Sequence, residues 1–249
     1  MEALKLFALL IILFVTWLSG CYPFFKKYRQ AGEYNFPITE SLAAGVFLGA
    51  ALIHMLGDAS QGFYVNAVHY PLAFLLAGAM FLFLLLLEHV GRELMHQKGG
   101  AENAFALLAT FMLSIHAFLM GAALGLGHAF PLMVIIFFAI VGHKWAESFS
   151  LAVQINKSHF RFGANLALFF LFSLMTPLGI FFGAYANDFF GNYTLIQPTI
   201  SALAAGTFLY LGTLHGLEKA TLIKQCCDLK RFYFVILGFS IMAIAAIWV

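Results

Sequence analysis

Eight stretches of about twenty predominantly apolar residues follow one another with little between them: 3–22, 40–58, 71–89, 104–127, 131–155, 163–186, 197–218 and 231–249. A helix needs about 20 such residues to cross the hydrocarbon core of a bilayer. Backbone amides find no water there, so each stretch is expected to be a helix. Of the 249 residues 63% are hydrophobic and only 10% charged, where soluble domains carry about a quarter charged. The connections are too short for a soluble domain, and a net charge of +2 gives no basis for nucleic-acid binding. The first stretch has no basic leader and no small-residue cleavage site, so it is read as a helix and not as a signal peptide.

The charges orient the chain. Eleven of the thirteen Lys and Arg residues fall in alternate loops: Lys26, Lys27 and Arg29; Arg92 and Lys98; Lys157 and Arg161; and Lys219, Lys224, Lys230 and Arg231. The intervening loops, roughly 59–71, 128–131 and 187–197, carry none. Short Lys/Arg-rich loops stay on the cytoplasmic side. The expectation is an all-α integral membrane protein with eight transmembrane helices, N-out/C-out, in a plasma membrane or a bacterial inner membrane. Cys21, Cys226 and Cys227 then lie at cytoplasmic ends, where disulfides are not expected. Lys5 stands at the start of the chain, and Lys144 inside an apolar stretch demands a reason.

Two of the stretches are alike. Ala43-Ala44-Gly45-Val46-Phe47-Leu48 in the second matches Ala204-Ala205-Gly206-Thr207-Phe208-Leu209 in the seventh. A histidine follows each glycine by nine residues, and an acid follows each histidine: His54 with Asp58, His215 with Glu218. Helices an odd number of spans apart cross in opposite directions, the parity of an inverted repeat and the usual architecture of secondary transporters. Spans one to three and six to eight are the expected halves around a central pair, spans four and five. Residues 1–249 then read as a single transmembrane transporter domain. His54 and Asp58 fall at the outer end of a candidate pathway. His215 and Glu218, with Glu88 and His89, fall at its inner end.

The central pair carries polar residues at mid-depth: His116 on span four, and His143, Lys144 and Glu147 on span five. Charges at the bilayer centre cost roughly 2.5–3.5 kcal/mol each on insertion scales and tend to face the bundle interior. His143 and Glu147 are four apart and share a helix face. The two helices are antiparallel neighbours, and His116 and His143 lie at nearly equal depth. Two imidazoles and a carboxylate suit zinc and other divalent transition metals. Lys144 points elsewhere on the helix, either pairing with a carboxylate or filling the space of a second cation; the second reading is favoured. Gly121 and Gly125 allow a close helix approach, and Thr176-Pro177-Leu178-Gly179 is expected to break the sixth helix near mid-depth.

These residues resemble the ZIP family of zinc- and iron-regulated transporter-like proteins. The family's fourth-span His-Ser-x-x-x-Gly-x-x-x-Gly reads here His116-Ala117-Phe118-Leu119-Met120-Gly121-Ala122-Ala123-Leu124-Gly125. Its fifth-span His-x-x-x-Glu reads His143-Lys144-Trp145-Ala146-Glu147. The second-span run matches with Gly57 in place of a proline, and the sixth-span Thr-Pro-x-Gly is present. The resemblance implies an eight-helix carrier of divalent metal toward the cytoplasm, with His116, His143 and Glu147 as ligands. Zinc, or iron, manganese or cadmium, is then substrate and not cofactor. Ala117, Met120 and Lys144 stand where two-metal members have polar or acidic residues, which implies one metal per site. Lipid is the expected surround, and a homodimer one assembly open to such a chain. The competing class is an intramembrane zinc-dependent hydrolase, against which the chain lacks His-Glu-x-x-His and has polar residues at both mouths.

Overall fold

The computed structural model describes residues 2–29, 36–96, 101–127, 130–190, 194–214 and 229–247. Among them the regular elements are helices: α1 (Glu2–Arg29), α2 (Pro37–Val65), α3 (Leu72–His96), α4 (Ala101–Leu126), α5 (Phe130–Lys157), α6 (Phe162–Phe190), α7 (Ile196–Tyr210) and α8 (Leu229–Ala245). Each predicted stretch overlaps one of them. Several run past the apolar window, because polar residues at the interface prolong a helix beyond the hydrocarbon. His215, Glu218, Cys226 and Cys227 lie outside the described residues. Among the described residues six helices, α1 to α6, are long and apolar enough to cross a membrane.

Proline placement follows the local chemistry. Pro37 and Pro198 sit in the first turns of α2 and α7, and Pro71 directly precedes α3, positions where a missing N–H costs nothing. Pro177 lies inside α6, yet α6 continues helical from Phe162 to Phe190. The expected break at Thr176–Gly179 is therefore absent; the segment is instead a packing surface.

Glycines supply that surface. A Cβ on Gly121 or Gly125 of α4 would run into the carbonyl oxygens of Thr176 and Ile180 on α6. One on Gly179 or Gly183 of α6 would run into those of Phe118 and Ala122 on α4. The two backbones touch, which small residues alone permit. The same device joins α2 to α8, where Gly45 meets the Val235 carbonyl and Gly238 that of Leu42. It joins α7 to α3, where Gly206 meets the Ala77 carbonyl. The pairing has a pattern: α2 packs on α8 as α7 packs on α3, and α1 packs on α5 as α6 packs on α4.

The two helices that carry the matched sequence runs, α2 and α7, also depart from α-helical winding at one place. α2 becomes π-helical over Ala50–Met55, and α7 passes into π-helix over 211–214. Each segment begins five residues after the paired glycine, Gly45 or Gly206. Such insertions are rare and cluster at functional positions.

Lys5 has a local explanation. Its buried Nζ donates to the Gly125 carbonyl at 2.7 Å. The last carbonyls of a helix lack partners and carry partial negative charge, so a cation there is favourable.

The exterior is strongly apolar. Leu6, Phe14, Leu18, Phe25, Leu82, Phe138 and Phe181 each expose more than half their surface. Apolar belts of this size mark a membrane-facing surface, as expected of a multi-pass integral membrane protein. The α2 span is 67% buried against 22% for α3, so the interior is built around α2, α4 and α5.

Candidate metal centre

In the bundle interior α4 contributes His116, and α5 contributes His143, Lys144 and Glu147; all four are buried. One ligand atom from each of His116, His143 and Glu147 lies within 4.8 Å of the others. The spacing of four on α5 sets His143 beside Glu147, and close approach of α4 brings His116 to the same carboxylate. His116 Nε2 and His143 Nε2 both stand 3.3 Å from Glu147 Oε1. Neither nitrogen has a hydrogen-bond partner, so the three atoms converge without satisfying one another. Buried polar atoms left so are costly. A tetrahedral ion with bonds of about 2.0–2.1 Å holds its ligands about 3.3 Å apart, which is the spacing of both imidazole–carboxylate pairs.

Glu147 divides its two oxygens. Oε1 faces the imidazoles, while Oε2 accepts from Lys144 Nζ at 2.7 Å. Lys144 also donates to Thr176 Oγ1 at 3.0 Å and lies 4.6 Å above the Phe172 ring. Of the two sequence readings of Lys144, pairing with a carboxylate is what the geometry contains. Paired charges leave the Lys144–Glu147 unit neutral, and a carboxylate already shared with an ammonium is a weaker metal ligand.

The seventh helix completes the surroundings, a contribution not foreseen from the motifs. Thr207 Oγ1 lies 2.6 Å from His116 Nδ1 and donates to the Ala204 carbonyl at 2.6 Å. Phe208 stacks on the His116 ring with centroids 3.7 Å apart and planes at 13°, and meets His143 edge-on at 5.0 Å. The one signal available was the repeat comparison: Thr207 is the polar replacement of Val46 within the matched run.

The other described sequence candidates sit on α2 and α3. His54, buried in the π-helical segment of α2, pairs through Nδ1 with Asp58 Oδ2 at 3.0 Å, and Asp58 is half exposed. Glu88 on α3 is buried and accepts a hydrogen bond from the Tyr210 hydroxyl of α7. His89 next to it is exposed and donates from Nδ1 to the Leu85 carbonyl at 3.3 Å.

Comparison with known proteins gives the family. Residues 95–246, more than half of the chain, match the model of the Zip family, described as ZIP zinc transporter. The mouse zinc transporter ZIP2 is 26% identical over 98% of this chain and 97% of its own length. The human zinc transporter ZIP1 is 27% identical over 96% of this chain and 89% of its own. A Dictyostelium discoideum protein, zntD, is 32% identical over 55% of this chain and 20% of its own length.

Proposed function

The chain belongs to the ZIP zinc transporter family, and from that premise we propose that it moves divalent transition metal, zinc foremost, across the membrane toward the cytoplasm through His116, His143 and Glu147. The observation that carries this is the convergence of three ligand atoms from α4 and α5, two of them imidazole nitrogens without hydrogen-bond partners, buried in a bundle whose outside is apolar. Iron, manganese and cadmium are further substrates compatible with a His/Glu ligand set. The hydrolase alternative falls with family membership: the relatives are named transporters, and transporters of this family are not enzymes.

The architecture proposed is eight spans, N-out/C-out, with α1–α3 and α6–α8 as inverted halves around α4 and α5, forming one transporter domain over 1–249. Three features support it: basic residues in alternate loops, the reciprocal helix pairing, and π-helical segments at matched places in α2 and α7. Such a topology fits a plasma membrane or a bacterial inner membrane. A homodimer of it would assemble through outer helices that face lipid.

In this reading His54 and Asp58 receive the ion at the outer end. Glu88 and His89, together with His215 and Glu218, conduct it at the inner end. Lys144 takes the place of a second cation: its ammonium occupies Glu147 Oε2, the oxygen through which a carboxylate would bridge to another metal. One ion per site follows.

The test is flux in proteoliposomes, with zinc, iron, manganese and cadmium offered separately. The parent chain is expected to give saturable zinc flux, and folded His143→Ala to fall to the rate of empty vesicles. Parental flux from His143→Ala would refute the proposal.

A further inference from the structure

We infer that Thr207 is a positioning residue for the metal centre, holding His116 in the tautomer and orientation that aim Nε2 at the ion; this rests on the proposed role of His116, His143 and Glu147. His116 Nδ1 lies 3.3 Å from the Ala204 carbonyl as well as 2.6 Å from Thr207 Oγ1. A carbonyl oxygen only accepts, so Nδ1 carries the ring proton. Thr207 has a single hydroxyl hydrogen and gives it to the Ala204 carbonyl at 2.6 Å. Its oxygen is thereby left to accept from Nδ1–H. The three groups form a closed set with one consistent direction, and it leaves Nε2 without a proton, its lone pair facing Glu147 Oε1 at 3.3 Å. Phe208 prevents the ring from tilting out of this plane by stacking on it at 3.7 Å.

Metal-bound histidines are commonly oriented by a hydrogen bond at the other ring nitrogen, and losing it typically costs 10–100-fold in affinity. A neutral hydroxyl fixes the ring without adding the basicity that a carboxylate partner would. The ion is therefore held by correct geometry and not by strong donation, and it can depart. The partner also comes from α7, the helix that carries the second copy of the repeat, while the ligands sit on α4 and α5. Orientation of a ligand is tied to where α7 stands relative to the central pair.

The variants are Thr207→Val, which keeps shape and removes the hydroxyl, and Thr207→Ser, which keeps it. Valine already occupies the matching place in α2, as Val46. For Thr207→Val in proteoliposomes the KM for zinc is expected to rise about 10–100-fold, with maximal flux within about threefold of the parent and melting within a few degrees. Thr207→Ser should restore the parental KM. Zinc affinity in detergent, by calorimetry, should fall with Thr207→Val in the parent but not further in a His116→Ala background. A merely structural threonine would lower melting and flux together, without rescue by serine and without dependence on His116. That pattern overturns the inference, as does a Thr207→Val KM within twofold of the parent while His143→Ala still abolishes flux. Parental flux in His143→Ala overturns both the inference and the reading beneath it.

Discussion

Replacing Glu147 with glutamine is expected to stop zinc flux and to destabilise the protein by about 3–5 kcal/mol, because the same side chain serves two neighbours. Oε1 faces the two imidazoles; Oε2 neutralises Lys144 at 2.7 Å. Glutamine removes the negative charge from both. Lys144 would keep only Thr176 Oγ1 and the Phe172 face, which leaves a buried ammonium without a counter-charge. The two losses separate with a second substitution. Lys144→Met with Glu147→Gln has no uncompensated charge, and replacing a buried ion pair by apolar groups is often neutral. The double variant should recover most of the parental melting temperature in detergent and still show no flux. Recovered flux would mean that Glu147 is a structural partner of Lys144 and nothing more.

The second large effect concerns the α4–α6 contact. Gly179→Val is expected to cost at least about 3 kcal/mol, at the upper end for overpacking, and to leave little folded protein after purification. The new Cβ meets the Phe118 carbonyl, a backbone atom that no rotamer change can move aside. α6 would have to withdraw from α4 along its length, and His116 lies on α4 between Leu113 and Gly121. Gly78 in α3 is the control, since nothing stands within 4 Å of its Cβ position. Gly78→Ala should be neutral or stabilise by up to about 1 kcal/mol, as glycine replacement does in an open helical site. Thermal melting of the two variants in the same detergent compares them directly.

The parts of the molecule that a bilayer dictates were readable from the chain. Apolar length placed the helices, and the spacing of four on α5 with equal depth on α4 placed His116, His143 and Glu147 together. Lys144 stood out as costly, and its partner Glu147 is only three residues away on its own helix, yet the motif drew Glu147 wholly toward metal. Nothing local could show that one carboxylate serves both. Thr207 and Phe208 were hidden for another reason. They lie on α7, and no periodicity links them to His116; only the packed helices do. Pro177 misled because the proline penalty inside a helix is real, but α4 packs so closely along Thr176–Gly183 that α6 stays continuous. The role of Lys5 likewise depends on a carbonyl at the far end of α4.

The metal assignment is tested most directly by loading the purified parent with zinc, counting the ions and recording the zinc K-edge fine structure. One zinc per chain is expected, with nitrogen and oxygen neighbours at about 2.0–2.1 Å, outer-shell scattering from two imidazoles, and loss of that signal in His143→Ala. Two ions per chain would contradict the assignment of Lys144 as a second-cation substitute. Imidazole scattering unchanged by His143→Ala would place the metal elsewhere.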